Sequence, residues 1–372
     1  MKLHTANKYL LSLPRVAEKG LGARFRALQE AAFAAFGIDR AVSVLLTVSG
    51  DEYSYVCRAV TAAFAHTGQS VAIVSLDPDA SAAEIVKLGG NNASDDEAAH
   101  VVTVIRQSAA SLGITPTVIE AKLLCGLALC ALKGCKNVIL GFEPTRVPRA
   151  FYDIVPLSRT VALLPSAVSV SDSAAIVRKG VLEVISSPRG EDEYRAISAV
   201  CASVNCRHSV ISRSAVAASA LTYKGIEFSY KERKYAMRGH SESMITAALS
   251  AVLAACALER RGVKVSESDV RATLPDVSVE HGCRIASYNP CVLVAVCRNG
   301  ESFARLDADV ERICAHLGKI PRSFSVLDDT AELESAFSAC QDGECALCVK
   351  GDAGFVEKTL NTLAKWISPP VK

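Results

Sequence analysis

Short, nearly continuous apolar runs alternate with amphipathic segments of helical length along this chain, and this alternation limits the fold more than any other feature. Residues 41–49 and 70–76 are apolar runs typical of buried strands, and residues 55–68 between them have a helical pattern that ends at a glycine. Further apolar runs of strand length cover 137–142, 160–166, 181–187 and 208–214. Because strands that alternate with helices form parallel sheets, we predict an α/β fold with a largely parallel sheet and helices on both faces.

The pattern changes after residue 220, which indicates a second domain. Residues 221–238 are aromatic and short in period and predict a hairpin, and residues 241–262 predict one long apolar helix. A second α/β series then begins, with predicted strands at 291–297, 323–329 and 345–351 and predicted helices at 301–317, 330–340 and 353–367. A length of 372 residues suits two domains at about 150 residues each. We predict one domain over residues 1–290 and a shorter α/β domain over residues 291–372.

Composition excludes several classes of partner. Lys and Arg number 41 and Asp and Glu number 39, which leaves a net charge of +2 and gives no electrostatic basis for binding nucleic acid or an anionic membrane. The basic stretch at 224–238 is interpreted as the solvated face of the hairpin. No apolar run reaches the length of a membrane-spanning helix, and the N-terminal segment lacks the pattern of a signal peptide. We expect a cytoplasmic protein that binds neither nucleic acid nor membrane.

Fourteen cysteines are present, and most of them stand in apolar surroundings. This placement predicts small buried hydrophobic side chains rather than a disulfide framework. Cys340, Cys345 and Cys348 form the tightest group, but their spacing supplies no fourth ligand for a zinc ion. We therefore expect no metal at this group.

Four segments, taken in order, resemble folylpolyglutamate synthase/dihydrofolate synthase, a branch of the Mur ligase superfamily. They are the N-terminal helices at 9–37, the strand–loop–helix–strand region at 45–75, the long helix region at 238–274 and the domain join at 281–302. The resemblance implies a central ATPase domain and a C-terminal α/β domain. It also implies ATP-dependent phosphorylation of a carboxylate, followed by attack of the glutamate amine on the acyl phosphate. That chemistry needs a phosphate loop with a lysine, and a hydroxyl and a carboxylate on Mg²⁺.

The phosphate loop, Gly50 to Val56, departs from the family pattern Gly-Thr-Asn-Gly-Lys-Gly-Ser/Thr. Gly50 keeps the first glycine, whereas Ser54 stands at the lysine position and Val56 at the position of the metal-binding hydroxyl. Tyr53 and Tyr55 replace glycines whose bare backbone lets phosphate approach. The loop therefore lacks the groups that would neutralise and hold a polyphosphate.

The resemblance places other functional residues on positions that this chain has either changed or kept. The metal-binding glutamate position falls on Gly141, and Glu143, two residues further on, is the remaining candidate metal ligand. His240 is kept at the adenine side and is interpreted as a hydrogen-bonded remnant, with a base contact as the alternative. Arg284 keeps the arginine before the domain join, at a spacing one residue off. Five other family positions hold small or apolar residues, namely Ala167, Val168, Ser173, Ser241 and Met244. At the domain join, the family pattern Asp-Gly-Ala-His-Asn is replaced by the segment from Ala295 to Asn299, so the ribose-side aspartate is also missing.

These substitutions argue against the ancestral reaction. Loss of one electrostatic stabiliser costs roughly 3 kcal/mol of transition-state stabilisation, and the lysine, the hydroxyl and the metal carboxylate are all replaced at their positions. We therefore predict no catalytic residue and no bound ATP or metal. Vestigial nucleotide-site positions remain at Gly50, Ser54, His240 and Arg284.

Three functions compete on this evidence. The first is a non-catalytic interaction or regulatory protein that pairs with an active ligase paralogue or another protein. In this reading Asp51, Glu52 and Ser54 cap the helix end that phosphate would otherwise bind. The second is an active folate–glutamate ligase that uses ATP and Mg²⁺ in an atypical site near Glu143. The third is a small-molecule binder that uses the cleft between its domains.

Overall fold

The computed structural model describes residues 2–15, 22–38, 43–48, 53–142, 160–164, 176–177, 181–188, 190–222, 224–241, 243–279, 282–296, 304–324 and 330–366. Its helices are α1 (Leu3–Ser12), α2 (Gly22–Phe36), α3 (Tyr53–His66), α4 (Asp95–Ser111), α5 (Val118–Leu132), α6 (Glu191–Ser203), α7 (Ser243–Glu259), α8 (Glu267–Thr273), α9 (Ala304–Leu317), α10 (Thr330–Ser338) and α11 (Ala353–Leu363). In this part of the chain every helix falls short of the length or the apolarity needed to cross a bilayer.

The strands are β1 (Ser43–Val48), β2 (Ala72–Ser75), β3 (Val86–Leu88), β4 (Asn91–Asn92), β5 (Asn137–Phe142), β6 (Thr160–Leu164), β7 (Val181–Ser186), β8 (Arg207–Val210), β9 (Val216–Thr222), β10 (Gly225–Tyr230), β11 (Arg233–Met237), β12 (Gly282–Tyr288), β13 (Cys291–Val296), β14 (Ile320–Phe324) and β15 (Cys345–Gly351). The apolar runs at 137–142 and 345–351 are strands with the predicted bounds. The strand predicted at 323–329 begins earlier, at Ile320, and residues 325–329 lie outside the described residues.

Two compact units divide the chain. The first contains Met1–Tyr53, Val60–Ile211 and Ser250–Val270, and the second contains Ser54–Ala59, Ser212–Leu249 and Arg271–Lys372. The chain passes between the units more than once, whereas the predicted domains, 1–290 and 291–372, are continuous segments. The predicted boundary therefore stays a prediction.

The first unit is built on an eight-stranded sheet with the order β4-β3-β2-β5-β1-β6-β7-β8. The six strands β1, β2 and β5 to β8 pair in parallel, which confirms the predicted α/β class. β3 and β4 add a short antiparallel edge. Since β1 lies between β5 and β6, the chain leaves it toward β2 on one side and later reaches β6 on the other. The carboxyl ends of strands at such a switch point form the crevice in which open α/β sheets bind ligands.

Helix α5 is an almost unbroken apolar segment because it lies in the core of the first unit. Every residue of this helix from Val118 to Cys130 is buried. Its start is fixed by a capping box in which Thr117 and Glu120 exchange side-chain and backbone hydrogen bonds. A helix that is apolar all round belongs inside a core, and α5 packs against the helices α1, α2 and α4.

The second unit contains a three-stranded sheet, β11-β10-β9, and a four-stranded sheet, β12-β13-β15-β14. The predicted hairpin is β10 and β11, and Lys231 and Glu232 at its turn both have positive φ, as a type I′ turn requires. β9 adds a third strand that an alanine-rich sequence had concealed. In the four-stranded sheet, β13 and β15 are central and buried along their length, apart from the half-buried Lys350.

Candidate functional site

The carboxyl ends of β1 and β5 are where the fold itself places a ligand site. β5 ends at Phe142, and α3 begins at Tyr53 after the loop that leaves β1. Gly50, Asp51, Glu52 and Glu143 lie outside the described residues. Ser54 is described, and it is the second residue of α3, whereas the capping position before the helix falls on Glu52. The self-capping of this helix therefore stays a hypothesis.

Tyr53 lies directly against the backbone of Gly141. A β-carbon built on Gly141 would stand 2.1 Å from the hydroxyl oxygen of Tyr53 and 2.2 Å from its ring carbon Cζ. Real β-carbons do not approach other heavy atoms this closely, so the Tyr53 ring must shift before any side chain can stand at position 141. By the resemblance, position 141 is that of the metal-binding glutamate. The tyrosine that replaces a loop glycine thus occupies the space of that carboxylate.

The residues after Tyr53 are packed inward rather than presented to a ligand. Tyr55 is 2% exposed, and its hydroxyl has no hydrogen-bond partner among the described residues. Burial raises the pKa of Tyr55, so the phenol stays neutral. Val56, at the position of the metal-binding hydroxyl, is also buried. The first turns of α3 therefore contribute apolar packing at positions where the resemblance implies polar groups.

A buried lysine of the first unit serves a loop instead of a ligand. Lys122, on α5, is fully buried, and its ammonium group donates to the backbone oxygens of Asp77 and Ala80, at 2.5 and 2.6 Å. Burial lowers the pKa of Lys122 to about 8, and Asp77 opposes this shift. The ammonium group of Lys122 is therefore satisfied by the loop that follows β2.

His240, in the second unit, is held by three hydrogen bonds. Its backbone nitrogen donates to Cys283 O at 2.7 Å, its Nε2 donates to Thr222 O at 2.8 Å, and its carbonyl accepts from Arg312 at 2.5 Å. Burial lowers the pKa of His240, which favours the neutral ring. Its Nδ1 is then a buried acceptor that has no partner among the described residues. Arg284, one residue after Cys283 on β12, is exposed.

Two polar groups at the β7–β8 edge of the large sheet were not predicted from the sequence. The ring of His208 lies between two serines, with Nε2 2.7 Å from Ser186 Oγ and Nδ1 2.8 Å from Ser198 Oγ. The carboxylate of Glu183 is buried, and each of its two oxygens accepts a hydrogen bond from Arg260, at 2.7 and 2.5 Å. These residues come from separate elements, and no spacing in the sequence signals their meeting. Ser186 is only 1% exposed, so its hydroxyl is a structural hydrogen-bonding group rather than an accessible nucleophile.

In the part of the chain that the structure describes, no group of three or more His, Cys, Asp or Glu side chains could hold a metal ion. Glu143, the predicted candidate, lies outside it. The arrangement around Tyr53 and Gly141 does not fit the metal–nucleotide group that the fold implies, because a ring fills the position of the ligand.

The fold, with its eight-stranded sheet and two smaller sheets, is similar to that of solved folylpolyglutamate synthase structures. No protein-family model matches the sequence, and no curated protein matches it. Among solved structures, the apo form of Lactobacillus casei folylpolyglutamate synthetase has a TM-score of 0.71 at 12% identity, over 98% of this chain and 100% of that chain. A bifunctional folylpolyglutamate synthase/dihydrofolate synthase from Yersinia pestis, complexed with AMPPNP and Mn ion, has a TM-score of 0.63 at 17% identity, over 98% of each chain. The predicted resemblance is confirmed at the level of the fold, and identities this low carry no activity with them.

Proposed function

We propose that this chain is a non-catalytic homologue of folylpolyglutamate synthase/dihydrofolate synthase, which acts by binding another protein. The first candidate partner is an active ligase paralogue with the same fold. The chain performs no ATP-driven ligation. It keeps the ligase scaffold and has lost the means to bind the nucleotide and its metal.

The contact between Tyr53 and Gly141 carries this proposal. A glycine in place of a metal-binding carboxylate would by itself be a single loss that a neighbouring residue could repair. Here the same position is also filled by a ring from the former phosphate loop, with 2.1 Å between its hydroxyl oxygen and the position of a β-carbon. Two positions that must separate to bind a metal–phosphate group have instead packed together.

The energetic argument supports the same conclusion. An enzyme supplies at least about 8 kcal/mol of barrier reduction, and one preorganised electrostatic contact supplies roughly 3 kcal/mol. Ser54 and Val56 replace two such contacts and Gly141 replaces a third. Even when they are not fully additive, these losses approach the lower end of the stabilisation that an enzyme supplies.

Calorimetric titration with ATP, with and without Mg²⁺, tests the catalytic half of the proposal. We expect no binding up to a millimolar concentration, which corresponds to about −4 kcal/mol. Binding that is tighter, depends on Mg²⁺ and is lost in Glu143→Gln would overturn the proposal in favour of an atypical ligase. Ligation of glutamate to a folate by the wild-type chain would do the same.

The binding half needs its own experiment. The chain is mixed with an active folylpolyglutamate synthase paralogue from the same organism, and the mass of the complex is measured by light scattering. The ligase rate of the paralogue is measured with and without the chain. We expect a complex and a change in rate. A chain that neither associates with the paralogue nor alters its rate is not its regulator.

His240 supports a second candidate, a small-molecule binder. Its buried Nδ1 could satisfy its remaining hydrogen bond with a ligand donor, since the ring's other nitrogen is already bound to Thr222 O. Calorimetry with adenosine, in the wild type and in His240→Asn, tests this candidate. Binding by the wild type that is lost in the variant supports it, and no binding by the wild type excludes adenosine as the ligand.

A further inference from the structure

The second unit contains a cavity of about 450 Å³ at one end of its three-stranded sheet. The cavity lies where β9 ends, β10 begins and β11 ends, and the short turn Leu274–Asp276 after α8 contributes to its wall. Part of the lining is apolar, because Ile226 and Met237 are buried cross-strand partners there. A cavity of this volume accommodates a small organic molecule.

Hydrogen bonds between the lining elements hold the walls of this cavity. The hydroxyl of Thr222, at the end of β9, donates to Gly225 O at 3.2 Å, and the Thr222 carbonyl accepts from His240 Nε2 at 2.8 Å. Arg238, which follows β11, donates to Pro275 O at 2.9 Å. The walls are therefore fixed before a ligand arrives, and little ordering is needed for binding.

Glu227 brings to the cavity a carboxylate that its neighbours do not satisfy. It lies on β10, the middle strand of the sheet, and its cross-strand neighbours are Ala236 on β11 and Ala220 on β9. An opposite charge across the strand would stabilise this carboxylate, but an alanine offers neither a charge nor a side-chain donor. Among the described residues the carboxylate has no hydrogen-bond or ion-pair partner. The short alanine side chains also leave space beside it.

The charges that line the cavity are balanced. Lys224 and Arg238 are cationic, Glu227 and Asp276 are anionic, and all four residues are exposed. A polyphosphate would meet the two carboxylates, a polyamine would meet the two cations, and like charges that are placed together repel each other. An uncharged ligand would desolvate these ionised groups without pairing them. The lining therefore favours a molecule that carries one charge of each sign.

We infer that this cavity is a binding site for a zwitterionic α-amino acid with an apolar side chain. The ammonium group of the ligand pairs with Glu227, its carboxylate pairs with Lys224, and its side chain covers Ile226 and Met237. The ammonium group of Lys224 has three donors, so it can bind the ligand and also keep its interaction within the chain. The inference does not depend on the proposed function, because the described lining residues include none of the vestigial nucleotide-site positions.

Calorimetric titration of the full chain with three probes tests the class of ligand. L-phenylalanine carries both charges, phenethylamine lacks the carboxylate, and phenylpropanoate lacks the ammonium group. We expect L-phenylalanine to bind with a Kd below about 1 mM, and each of the other two to bind at least about tenfold more weakly, because each loses one charge-assisted hydrogen bond. Equal affinity for the three probes would overturn the inference. The same holds if neither L-phenylalanine nor L-leucine shows saturable binding up to about 10 mM.

Variants of exposed residues test where the ligand binds. Glu227→Gln should weaken the binding of L-phenylalanine about tenfold and leave phenylpropanoate unchanged, because phenylpropanoate has no ammonium group to lose a partner. Lys224→Met should weaken L-phenylalanine about tenfold and leave phenethylamine unchanged. Glu232→Gln and Lys234→Met, on the same hairpin but not among the residues that line the cavity, are the matched controls and should change no affinity. If the controls weaken binding as much as the cavity variants do, the site is wrong.

A larger side chain in the cavity gives a test that does not depend on charge. Ala236 lines the cavity, so Ala236→Leu should abolish the binding of L-phenylalanine by filling the space beside Glu227. Ala217→Leu, at an exposed alanine of β9 that is not among the lining residues, is the control and should bind as the wild type does. Urea unfolding establishes that both variants are folded. Unchanged binding by folded Ala236→Leu would mean that the ligand lies elsewhere.

Discussion

The centre and the edge of the eight-stranded sheet differ in whether apolar or charged side chains are packed there. At the centre, where strand order places a ligand crevice, an aromatic ring from α3 lies on the bare backbone of Gly141. At the β7–β8 edge, Glu183 is buried, accepts hydrogen bonds from Arg260 and Ser209 Oγ, and lies 3.7 Å from Arg207. At the centre, where a ligand site would need polar side chains, an aromatic ring packs against the backbone. At the edge, where no ligand is expected, charged side chains cluster.

This difference shows where the buried charged groups of the first unit find their partners. A buried carboxylate at a working site is paired with a metal or a substrate, whereas Glu183 is satisfied entirely by neighbouring side chains. Lys122 is likewise satisfied by carbonyl groups of its own loop. Glu183 on β7 and Lys122 on α5 are therefore both satisfied within the chain, without a bound partner.

The largest effect should come from introducing a carboxylate at position 141, where the resemblance places one. Gly141→Glu must displace the Tyr53 ring and buries a charge without a partner, so we expect a loss of about 4 kcal/mol in the free energy of unfolding. Gly141→Ala introduces no charge. It should lower the free energy of unfolding by about 2 kcal/mol, from the steric clash alone. Urea unfolding measures both values.

The control for this prediction is a double-mutant cycle with Tyr53→Gly. If the ring causes the clash, Gly141→Ala should cost at least about 1 kcal/mol less in the Tyr53→Gly background than in the wild type. Additive costs would mean that the ring and Gly141 are independent, and the comparison between centre and edge would lose its main support.

The second effect is a dependence of stability on pH that Lys122 introduces. Its pKa is about 8 in the folded chain, from burial, against an ordinary value of 10.5. The unfolded chain thus binds more protons between these values, so the free energy of unfolding should rise by about 3 kcal/mol as the pH increases from 8 to 10.5. Chemical unfolding of the wild type and of Lys122→Met, under reducing conditions, measures the difference in slope. A variant whose stability follows the wild-type curve would exclude Lys122 as the source.

The third effect breaks the charge cluster at the edge. Arg260→Ala leaves the Glu183 carboxylate buried without its closest partner, and we expect a cost of about 2 kcal/mol, reduced from the value for a fully buried pair because Arg260 is 41% exposed. Arg207→Ala is the matched control at the same carboxylate. Arg207 is 62% exposed and 3.7 Å away, so its removal should cost less than about 0.5 kcal/mol. Equal costs would mean that Glu183 is solvated in solution.

Much of the fold was predictable because buried parallel strands have a simple signature. Strands covered on both faces are apolar without interruption, and the runs at 137–142 and 345–351 gave both strand bounds. β3 and β4 were missed because three and two residues are too few to show a period. β9 was missed because its alanines have little strand propensity, and only its pairing with β10 makes it a strand.

The candidate site was predictable only as a set of replaced residues. The sequence shows that Tyr53 and Gly141 depart from the family pattern, but it does not show that one fills the space of the other, since that contact joins a helix start to a distant strand. The triad of Ser186, His208 and Ser198 is hidden for the same reason. Contacts of this kind join elements that are far apart in the sequence, so the spacing of residues along the chain does not predict them.

The smallest predicted effect concerns that edge histidine. Ser198→Ala removes the hydrogen bond to His208 Nδ1 and should cost about 1 kcal/mol in the free energy of unfolding, the usual value of one such bond. Ser203→Ala, on the same helix, is the control, because its exposed hydroxyl bonds only to Val200 O and water can replace it. Urea unfolding at pH 7.5, where the neutral ring is favoured because burial lowers the pKa of His208, separates the two variants. If both serines cost the same, the edge network contributes no more than surface hydroxyls do, and the edge would resemble the packed centre more closely than its hydrogen bonds indicate.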